Sequence, residues 1–282
     1  MKDLLIKKKD NKKVILDDDT MKEIQQVLNA DKRRKQIEWG IEPSNGLLLY
    51  GPPGTGKTTL AKVAAASNEY GFYYSSGSSF VEKYVGIGAK KVRELYTKAK
   101  TYVNNYNMPC IVFIDEIDAI GGKRDSESTG GTKEIENTLN QLLIEMDGAD
   151  SNPNVITIAA TNRLDILDNA LTRSGRFDKR IELRLPNIES REKLFRLFGS
   201  KIKKKSKLPY KKLAEISDGL SGADIEYVIK QAAMNAIDTN KEKLTPSDIY
   251  KVLEEFDCKK EEHNTIGFII PDTMTAIACE SE

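Results

Sequence analysis

One segment of the sequence combines the residue types that bind phosphate groups. Residues 51–58 read GPPGTGKT, follow the apolar residues 47–50 and precede a helix-favouring stretch that begins at Leu60. Glycines let a loop turn so that its backbone N–H groups converge on an anion, and the N-terminus of the next helix adds partial positive charge. Lys57 could then reach the β- and γ-phosphates of a nucleotide, and the Thr58 hydroxyl could ligate Mg²⁺. The predicted nucleotide-binding residues of this loop are Gly51, Pro52, Pro53, Gly54, Thr55, Gly56, Lys57, Thr58 and Thr59. The alternative, a plain Gly/Pro turn, is disfavoured by the flanking strand and helix.

Two adjacent acids follow a second apolar stretch, residues 111–114. In an open parallel sheet, ligands bind outside the carboxyl ends of the strands, which is where these acids would lie. One carboxylate could hold Mg²⁺, and the other could orient the water that attacks the γ-phosphate. We assign Asp115 to the metal and Glu116 to the water. A solvated acidic loop is the alternative, and the upstream phosphate loop argues against it.

Three further polar residues could complete the site. Asn162 follows the buried stretch 155–160 and is suited to position the water or to touch the γ-phosphate; a cap or turn asparagine is the alternative. Arg173 and Arg176 lie too far along the domain to be assigned to the same site. They could enter the site of a neighbouring subunit, where an arginine supplied in trans contributes about 10³ to 10⁵ in rate in GTPases. Ordinary surface ion pairs are the other interpretation.

The order of predicted elements indicates how these residues are positioned. From residue 47 the chain alternates apolar strands with helices, which predicts an α/β domain whose parallel sheet is covered on both faces. From residue 186 only helical patterns occur, which predicts a small all-helical domain. The predicted division is a charged approach segment at 1–42, the α/β domain at 43–185, the helical domain at 186–258 and a tail at 259–282.

The composition limits which partners and which compartment we expect. The chain has 282 residues, with 44 Lys and Arg against 43 Asp and Glu, so its net charge of +1 gives no reason to expect nucleic acid as a partner. The three cysteines are widely spaced and fit a reducing compartment. No apolar run approaches the roughly 18 residues of a membrane span. We therefore expect a cytoplasmic protein without a membrane partner.

The motifs together resemble the ATPase module of the AAA proteins, the classical branch of the AAA+ superfamily. The similarity covers about residues 43–255, and FtsH-type proteases and proteasomal ATPases are the nearest types. The stretches that carry it are GPPGTGKT, FVEKYVGIGAKKVREL, IVFIDEIDAIGGKR, TLNQLLIEMDG, AATNRLDILDNALTRSGRFDKRIEL and LSGAD.

The resemblance implies a fold and an assembly. It implies a P-loop NTPase αβα sandwich with five strands, followed by a helical lid, assembled as a ring of six. Lys57, Thr58, Asp115 and Glu116 then match the Walker A and B positions, and Asn162 matches the position called sensor 1.

The same resemblance assigns the remaining polar residues. Arg173 and Arg176 match the arginine fingers that act in trans, which favours the functional interpretation over the surface ion pair. Gly222 and Ala223 match lid positions near the nucleotide. The segment Tyr84, Val85 and Gly86 matches an aromatic pore loop that grips a polypeptide. An aromatic face contacts many side chains without strict selectivity, as such a device requires.

The sequence also departs from these relatives. It has one histidine, His263, and no HExxH motif, so it lacks the zinc-protease chemistry of FtsH. Ala149 stands where the relatives tend to have a phenylalanine that signals between subunits, and residues 14–24 lack the usual glycine-bearing adenine motif. The last three residues do not form the hydrophobic-Tyr-x ending used for docking onto a proteasome-like chamber.

These features predict a Mg²⁺-dependent ATPase that remodels, unfolds or disassembles proteins as a ring. A loader or helicase-associated ATPase that acts on nucleic-acid complexes is the second hypothesis, which the aromatic pore loop and balanced charge disfavour. A nucleotide-dependent assembly switch is the third. The presence of Lys57, Glu116, Arg173 and Arg176 argues against a switch that does not hydrolyse ATP.

Overall fold

A computed structural model describes residues 15, 18–81, 86–122, 130–147 and 152–265 of the chain. The described chain divides into two compact units. The first contains residues up to 191 together with 219–224, and the second contains 192–218 and the residues from 225 onward. None of the helices in the described part is long and apolar enough to cross a membrane.

The first unit contains a parallel sheet of five strands in the order β2-β3-β4-β1-β5. The strands are β1 (Gly46–Tyr50), β2 (Gly71–Ser76), β3 (Cys110–Asp115), β4 (Val155–Thr161) and β5 (Lys179–Glu182). The central strands β1, β3 and β4 are buried almost throughout because helices cover both faces. The predicted α/β fold is therefore confirmed, and so is its five-stranded sheet.

Helices lie on both faces of this sheet. They are α1 (Asp18–Leu28), α2 (Ala30–Glu38), α3 (Lys57–Ser67), α4 (Ile87–Tyr106), the short α5 (Asp118–Gly121) and α6 (Gly130–Asp147). One buried cluster joins the sheet to α4 and α6 through residues such as Val92, Leu95 and Leu142. A second cluster, with Leu28 and Leu60, joins the opposite face to α1 and α3. The result is a three-layer αβα sandwich.

The described part of the approach segment before β1 is largely helical. It contains two helices, α1 and α2, with a break at Asn29. The Asn29 side chain accepts a hydrogen bond from Lys32 N at 2.9 Å and so caps the second helix. Asparagine is a favoured N-cap because its side chain satisfies a backbone N–H that has no partner within the helix. The local cap therefore restarts the helix.

The remaining helices follow β5. They are α7 (Ile188–Ser200), α8 (Tyr210–Glu215), α9 (Gly222–Asp238) and α10 (Pro246–Thr265). In the second unit, each of the four helices carries a fully buried apolar residue, and these are Phe195, Leu213, Val228 and Ile249. The strand content described in this unit is one isolated bridge between Lys205 and Leu244. The predicted helical lid is therefore confirmed as a fold.

Candidate functional site

The phosphate loop connects β1 to α3. Gly51, Gly54 and Gly56 have φ angles of 134°, 75° and 95°, in the region that glycine adopts readily and other residues rarely adopt. A Cβ on Gly51 would also lie 2.2 Å from the carbonyl oxygen of Leu183. The glycines are therefore required both for the turn and for the passage of the loop beside the residue that follows β5.

Lys57 begins α3 and folds back over the loop. Its Nζ donates hydrogen bonds to the carbonyl oxygens of Gly51 and Pro52, each at 2.8 Å, and the residue is 8% exposed. Burial lowers the pKa of the ammonium below its ordinary value, and the negative charge of Asp115 opposes this shift. The loop therefore holds a desolvated positive charge, which suits an anionic ligand.

A short hydrogen bond joins the loop to β3. Thr58 Oγ1 donates to Asp115 Oδ2 at 2.6 Å, across the carboxyl edge of the sheet. Mg²⁺ prefers hard oxygen ligands, and it usually takes one or two from the protein and the rest from water and substrate phosphates. Within the described residues there is no cluster of three or more His, Cys, Asp or Glu side chains that could hold a metal alone. The Thr58 and Asp115 oxygens therefore fit Mg²⁺ that is shared with a nucleotide.

Glu116 has an unusual backbone conformation beside this pair. Its φ of 52° lies in the left-handed region, which costs a non-glycine residue about 1–3 kcal/mol. Its N–H donates to Asp115 Oδ1 at 3.1 Å, and Ser76 Oγ donates to Glu116 Oε2 at 3.4 Å. A Cβ on Gly77 would lie 2.2 Å from the Glu116 carbonyl oxygen, so β2 and the turn after it support the exposed Glu116 closely. Ser76 and Gly77 were not predicted as site residues.

Asn162 lies at the same edge of the sheet as the phosphate loop. Tyr50 of β1 pairs with Thr161 of β4, and the next residues along the two strands are Gly51 and Asn162. Asn162 is exposed. Thr161 Oγ1 donates to Asp118 Oδ1 at 2.6 Å, which fixes the end of β4 to the first residue of α5. The register of the sheet therefore brings Asn162 beside the loop, although 111 positions of the sequence separate Gly51 and Asn162.

The start of α9 also contacts the phosphate loop within the first compact unit. Ala223 N donates to the Gly54 carbonyl oxygen at 3.2 Å, and a Cβ on Gly54 would lie 2.4 Å from Ser221 Oγ. Ser221 and Asp224 form a reciprocal cap, because Ser221 N donates to Asp224 Oδ2 and Asp224 N donates to Ser221 Oγ. The structure thus places Ala223 beside the loop and adds Ser221. The Ser-x-x-Asp spacing is a sequence signal for such a cap, but no signal in the sequence indicates the contact with Gly54.

The two arginines lie elsewhere. A Cβ on Gly46, at the amino end of β1, would lie 1.9 Å from the Arg176 carbonyl oxygen, so this segment lies at the opposite end of the strand from the loop. Arg176 donates from Nε to Asp147 Oδ2 at 2.5 Å and from Nη1 to the Ala170 carbonyl oxygen at 2.6 Å. Arg173 is exposed. The structure therefore does not bring either arginine to the loop of its own chain. It gives Arg176 an intrachain ion pair, which is the kind of contact that the second interpretation of these arginines expected.

Of the predicted pore segment, Tyr84 and Val85 lie outside the described residues. Gly86 is described and immediately precedes α4, with a φ of 86°. Its N–H donates to Glu134 Oε2 at 2.8 Å. The end of the segment is thus connected to α6, a contact that the sequence did not predict.

The chain is similar to known proteins over most of its length. The sequence model of the ATPase family associated with various cellular activities (AAA) matches residues 47–185, and that of the AAA+ lid domain matches residues 208–251. A proteasome-activating nucleotidase of Saccharolobus islandicus (strain Y.N.15.51) is 44% identical over 245 residues, which cover 86% of this chain and 61% of that protein. Proteins of the same name from Archaeoglobus fulgidus and Sulfurisphaera tokodaii are 46% and 45% identical, over 77% and 84% of this chain and 54% and 60% of theirs.

This chain therefore spans about three fifths of the length of the Saccharolobus and Sulfurisphaera relatives. Those relatives are proteasomal ATPases, one of the two types that the motifs resemble, and both family models fall within the region of resemblance. The phosphate loop, the Asp115 and Glu116 pair and Asn162 all lie within the part matched by the first model. The chain belongs to the AAA ATPase family and consists of an AAA domain followed by an AAA+ lid domain.

Proposed function

We propose that this chain hydrolyses ATP with Mg²⁺ and uses the energy to unfold or remodel proteins as one subunit of a ring, a homo-hexamer by the family resemblance. The observation that carries the proposal is the hydrogen bond between Thr58 and Asp115, at 2.6 Å. It joins the loop that contains Lys57 to the strand end that contains Glu116. The groups required for binding and for hydrolysis are thereby adjacent.

Each residue of the proposed site has its own role in ATP hydrolysis. The loop N–H groups and the Lys57 ammonium would bind the β- and γ-phosphates, and Thr58 and Asp115 would hold Mg²⁺. When bound, Mg²⁺ neutralises charge on the phosphates. Glu116 would orient the water and accept its proton as the water oxygen bonds to the γ-phosphorus and the bond from that phosphorus to the bridging oxygen breaks. Asn162 would fix the position of that water, and the products would be ADP and phosphate.

Arg173 would act on the phosphates of a neighbouring subunit. Its exposure and the position of its segment, at the end of the sheet away from the loop of its own chain, support this role. An arginine there would stabilise the charge that develops in the transition state. Arg176 would contact the neighbour's phosphates beside Arg173 only after its hydrogen bond to Asp147 breaks. In the described conformation, Arg176 therefore stabilises the fold of its own chain.

A protein substrate is supported by two observations. The relatives bear the name proteasome-activating nucleotidase, and proteasomes act on proteins. Tyr84, Val85 and Gly86 match the aromatic pore loop of the family.

Replacing Tyr84 with Ala should leave basal hydrolysis intact and abolish processing of an unfolded protein. Unaffected processing would reject this role for Tyr84, and stimulation of hydrolysis by DNA but by no unfolded protein would favour a loader.

The central test is Glu116→Gln, measured by ATP hydrolysis and by binding of labelled ATP. We expect binding to persist and turnover to fall by about 10² or more, because an amide cannot accept the proton. Glu189→Gln is the matched control, since Glu189 is an exposed acid in the first turn of α7. Unchanged hydrolysis in Glu116→Gln would refute the assignment of the site. A pull-down with this variant in ATP should also retain the client protein.

A further inference from the structure

A buried carboxylate joins α6 to the beginning of α4. Glu134 is 4% exposed, and its two oxygens accept hydrogen bonds from separate backbone groups: Oε2 from Gly86 N at 2.8 Å and Oε1 from Gly88 N at 3.2 Å. The first N–H groups of a helix have no partners within the helix, and a negative charge there interacts favourably with the helix dipole. Glutamate is seldom this buried unless it is paired, and here the helix start provides the partners.

The two helices approach too closely for a side chain at Gly88. A Cβ at this position would lie 2.2 Å from Thr138 Oγ1 and 2.4 Å from the Phe80 carbonyl oxygen. Thr138 lies one turn beyond Glu134 on α6, is fully buried, and its hydroxyl has no hydrogen-bond partner within the described residues. The Thr138 hydroxyl therefore packs against Gly88 without bonding to it. Within the described residues, the hydrogen bonds between α6 and the start of α4 are therefore those that Glu134 accepts.

The position of this connection relates it to the nucleotide site. α6 packs along α4 and also contacts α5, and α5 begins two residues after Glu116. Gly86, on the other side, is the last residue of the predicted pore segment. A continuous path of packed elements thus runs from the acidic pair at the end of β3, through α5 and α6, to Gly86.

We propose that Glu134 is a positioning residue that fixes Gly86 and Gly88 to α6 and so couples the nucleotide site to the segment that grips the substrate. The inference rests on the proposed function for its mechanical role. The competing interpretation is a helix cap that contributes stability alone. The two are distinguished by whether loss of the bidentate contact changes the amount of substrate processed for each ATP hydrolysed.

Glu134→Gln in the full chain tests the bidentate contact most directly. Glutamine keeps the size of the side chain but has one acceptor oxygen, so its NH₂ group would face the second backbone N–H. We expect hydrogen exchange at the Gly86 and Gly88 amides to accelerate about tenfold, as expected for the loss of one hydrogen bond to a charged group. Basal ATP hydrolysis should stay within about twofold of the wild-type rate. ATP consumed for each unfolded protein processed should increase several-fold.

Two controls separate the carboxylate from its surroundings. Thr138→Val keeps the shape of the same interface and leaves the carboxylate in place, so exchange and coupling should match the wild type. Glu145→Gln makes the same chemical change on the same helix. It removes only the negative charge that faces Lys100, whose Nζ lies 3.0 Å from Glu145 Oε2, and it should also leave coupling intact. If Glu134→Gln does not fold, Gly88→Ala provides the second variant. The added Cβ should displace the start of α4 and uncouple hydrolysis from processing.

The results decide between the interpretations. Faster exchange together with lost coupling supports the positioning role. Faster exchange with normal coupling, or coupling lost equally in Thr138→Val, overturns it. If the wild-type chain hydrolyses no ATP, the proposed function fails, but unchanged exchange at Gly86 and Gly88 in Glu134→Gln would separately refute the anchoring contact.

Discussion

At the scale of single residues, the site holds two residues in unfavourable states, one a buried charge and the other a strained backbone. Lys57 is a charged amine in a buried position, and Glu116 has a left-handed backbone. Both arrangements cost free energy in the protein alone and would be useful once phosphates and water are bound. Their residue types were predictable from sequence, whereas the burial of Lys57 and the φ of Glu116 were not.

The depressed pKa of Lys57 predicts how nucleotide affinity depends on pH. Phosphates bind the ammonium form, and burial lowers its pKa below the ordinary value of 10.5. ATP affinity should therefore fall with rising pH before that value is reached, as measured by titration with a fluorescent ATP analogue. The same shift implies that the folded state releases this proton before the unfolded state does, so folding stability rises with pH between the two pKa values.

Lys57→Arg is the control for this pH dependence. Arginine keeps its charge at all accessible pH values, so the variant should bind more weakly than the wild type but with an affinity that does not fall in this range. An identical pH dependence in both proteins would show that another group is responsible.

The contact between Arg176 and Asp147 predicts an effect on stability that Arg173 should not have. The Arg176 side chain is 18% exposed and Asp147 is 39% exposed, so solvent screens the pair only in part. Arg176→Ala and Asp147→Ala should each lower the free energy of unfolding. A double-mutant cycle in urea should give a coupling of about 1 kcal/mol. Arg173→Ala should change stability by less than about 0.5 kcal/mol, and strictly additive effects of the first two variants would contradict the contact.

At the scale of helices and strands, the sequence predicted the elements better than their ends. The apolar stretch 155–160 predicted β4, and the strand continues to Thr161. Similarly, β3 includes Asp115, a polar residue that apolar patterning does not detect. Strand pairing depends on backbone hydrogen bonds, so polar residues at a strand end can still belong to the sheet. The ends of β3 and β4 therefore lie one residue further along than the apolar stretches indicate. The added residues are Asp115 itself and Thr161, which immediately precedes Asn162.

Arg33 shows how one side chain can hold a helix against the sheet. It is 3% exposed, and its guanidinium donates to the Ser44 carbonyl oxygen at 2.6 Å, to Asn45 Oδ1 at 2.6 Å and to the Pro153 carbonyl oxygen at 2.5 Å. It therefore ties α2 to the segments that precede β1 and β4. Arg33→Ala should lower the free energy of unfolding by about 2–4 kcal/mol, because three partly buried hydrogen bonds lose their charged donor.

The neighbouring arginine provides the control for this prediction. The Arg34 side chain is 72% exposed and lies 4.0 Å from Asp31, so Arg34→Ala should cost less than about 0.5 kcal/mol. Urea denaturation of both variants measures the difference. Equal losses would mean that the contacts of Arg33 do not stabilise the fold.

At the scale of the whole molecule, the proposed active site is shared between subunits. Lys57, Thr58, Asp115, Glu116 and Asn162 meet at the carboxyl edge of one sheet. The segment that contains Arg173 lies at the amino end of β1 in the same chain. A chain with this arrangement should be nearly inactive as a monomer, because the transition-state charge would lack an arginine from a neighbour.

Mixing two inactive variants tests this expectation. Glu116→Gln cannot activate water but retains Arg173, and Arg173→Ala retains its own water-activating residue. Mixed assemblies should recover part of the ATPase activity, because Glu116→Gln subunits supply Arg173 to the intact sites of their neighbours. A mixture of Glu116→Gln with the double variant Glu116→Gln/Arg173→Ala is the control and should stay inactive. No recovery in assemblies that do mix would show that Arg173 does not act in trans.

The sequence by itself determined the family, the phosphate loop and the acidic pair, because these depend on the order of residue types over short stretches. It also determined the alternation of strands and helices, through the spacing of apolar residues. Tertiary structure alone decided which distant groups meet. Arg176 pairs with Asp147 at a separation of 29 residues, and Glu134 reaches Gly86 at a separation of 48. Such contacts depend on how helices pack and where a glycine permits close approach, and no local pattern specifies them.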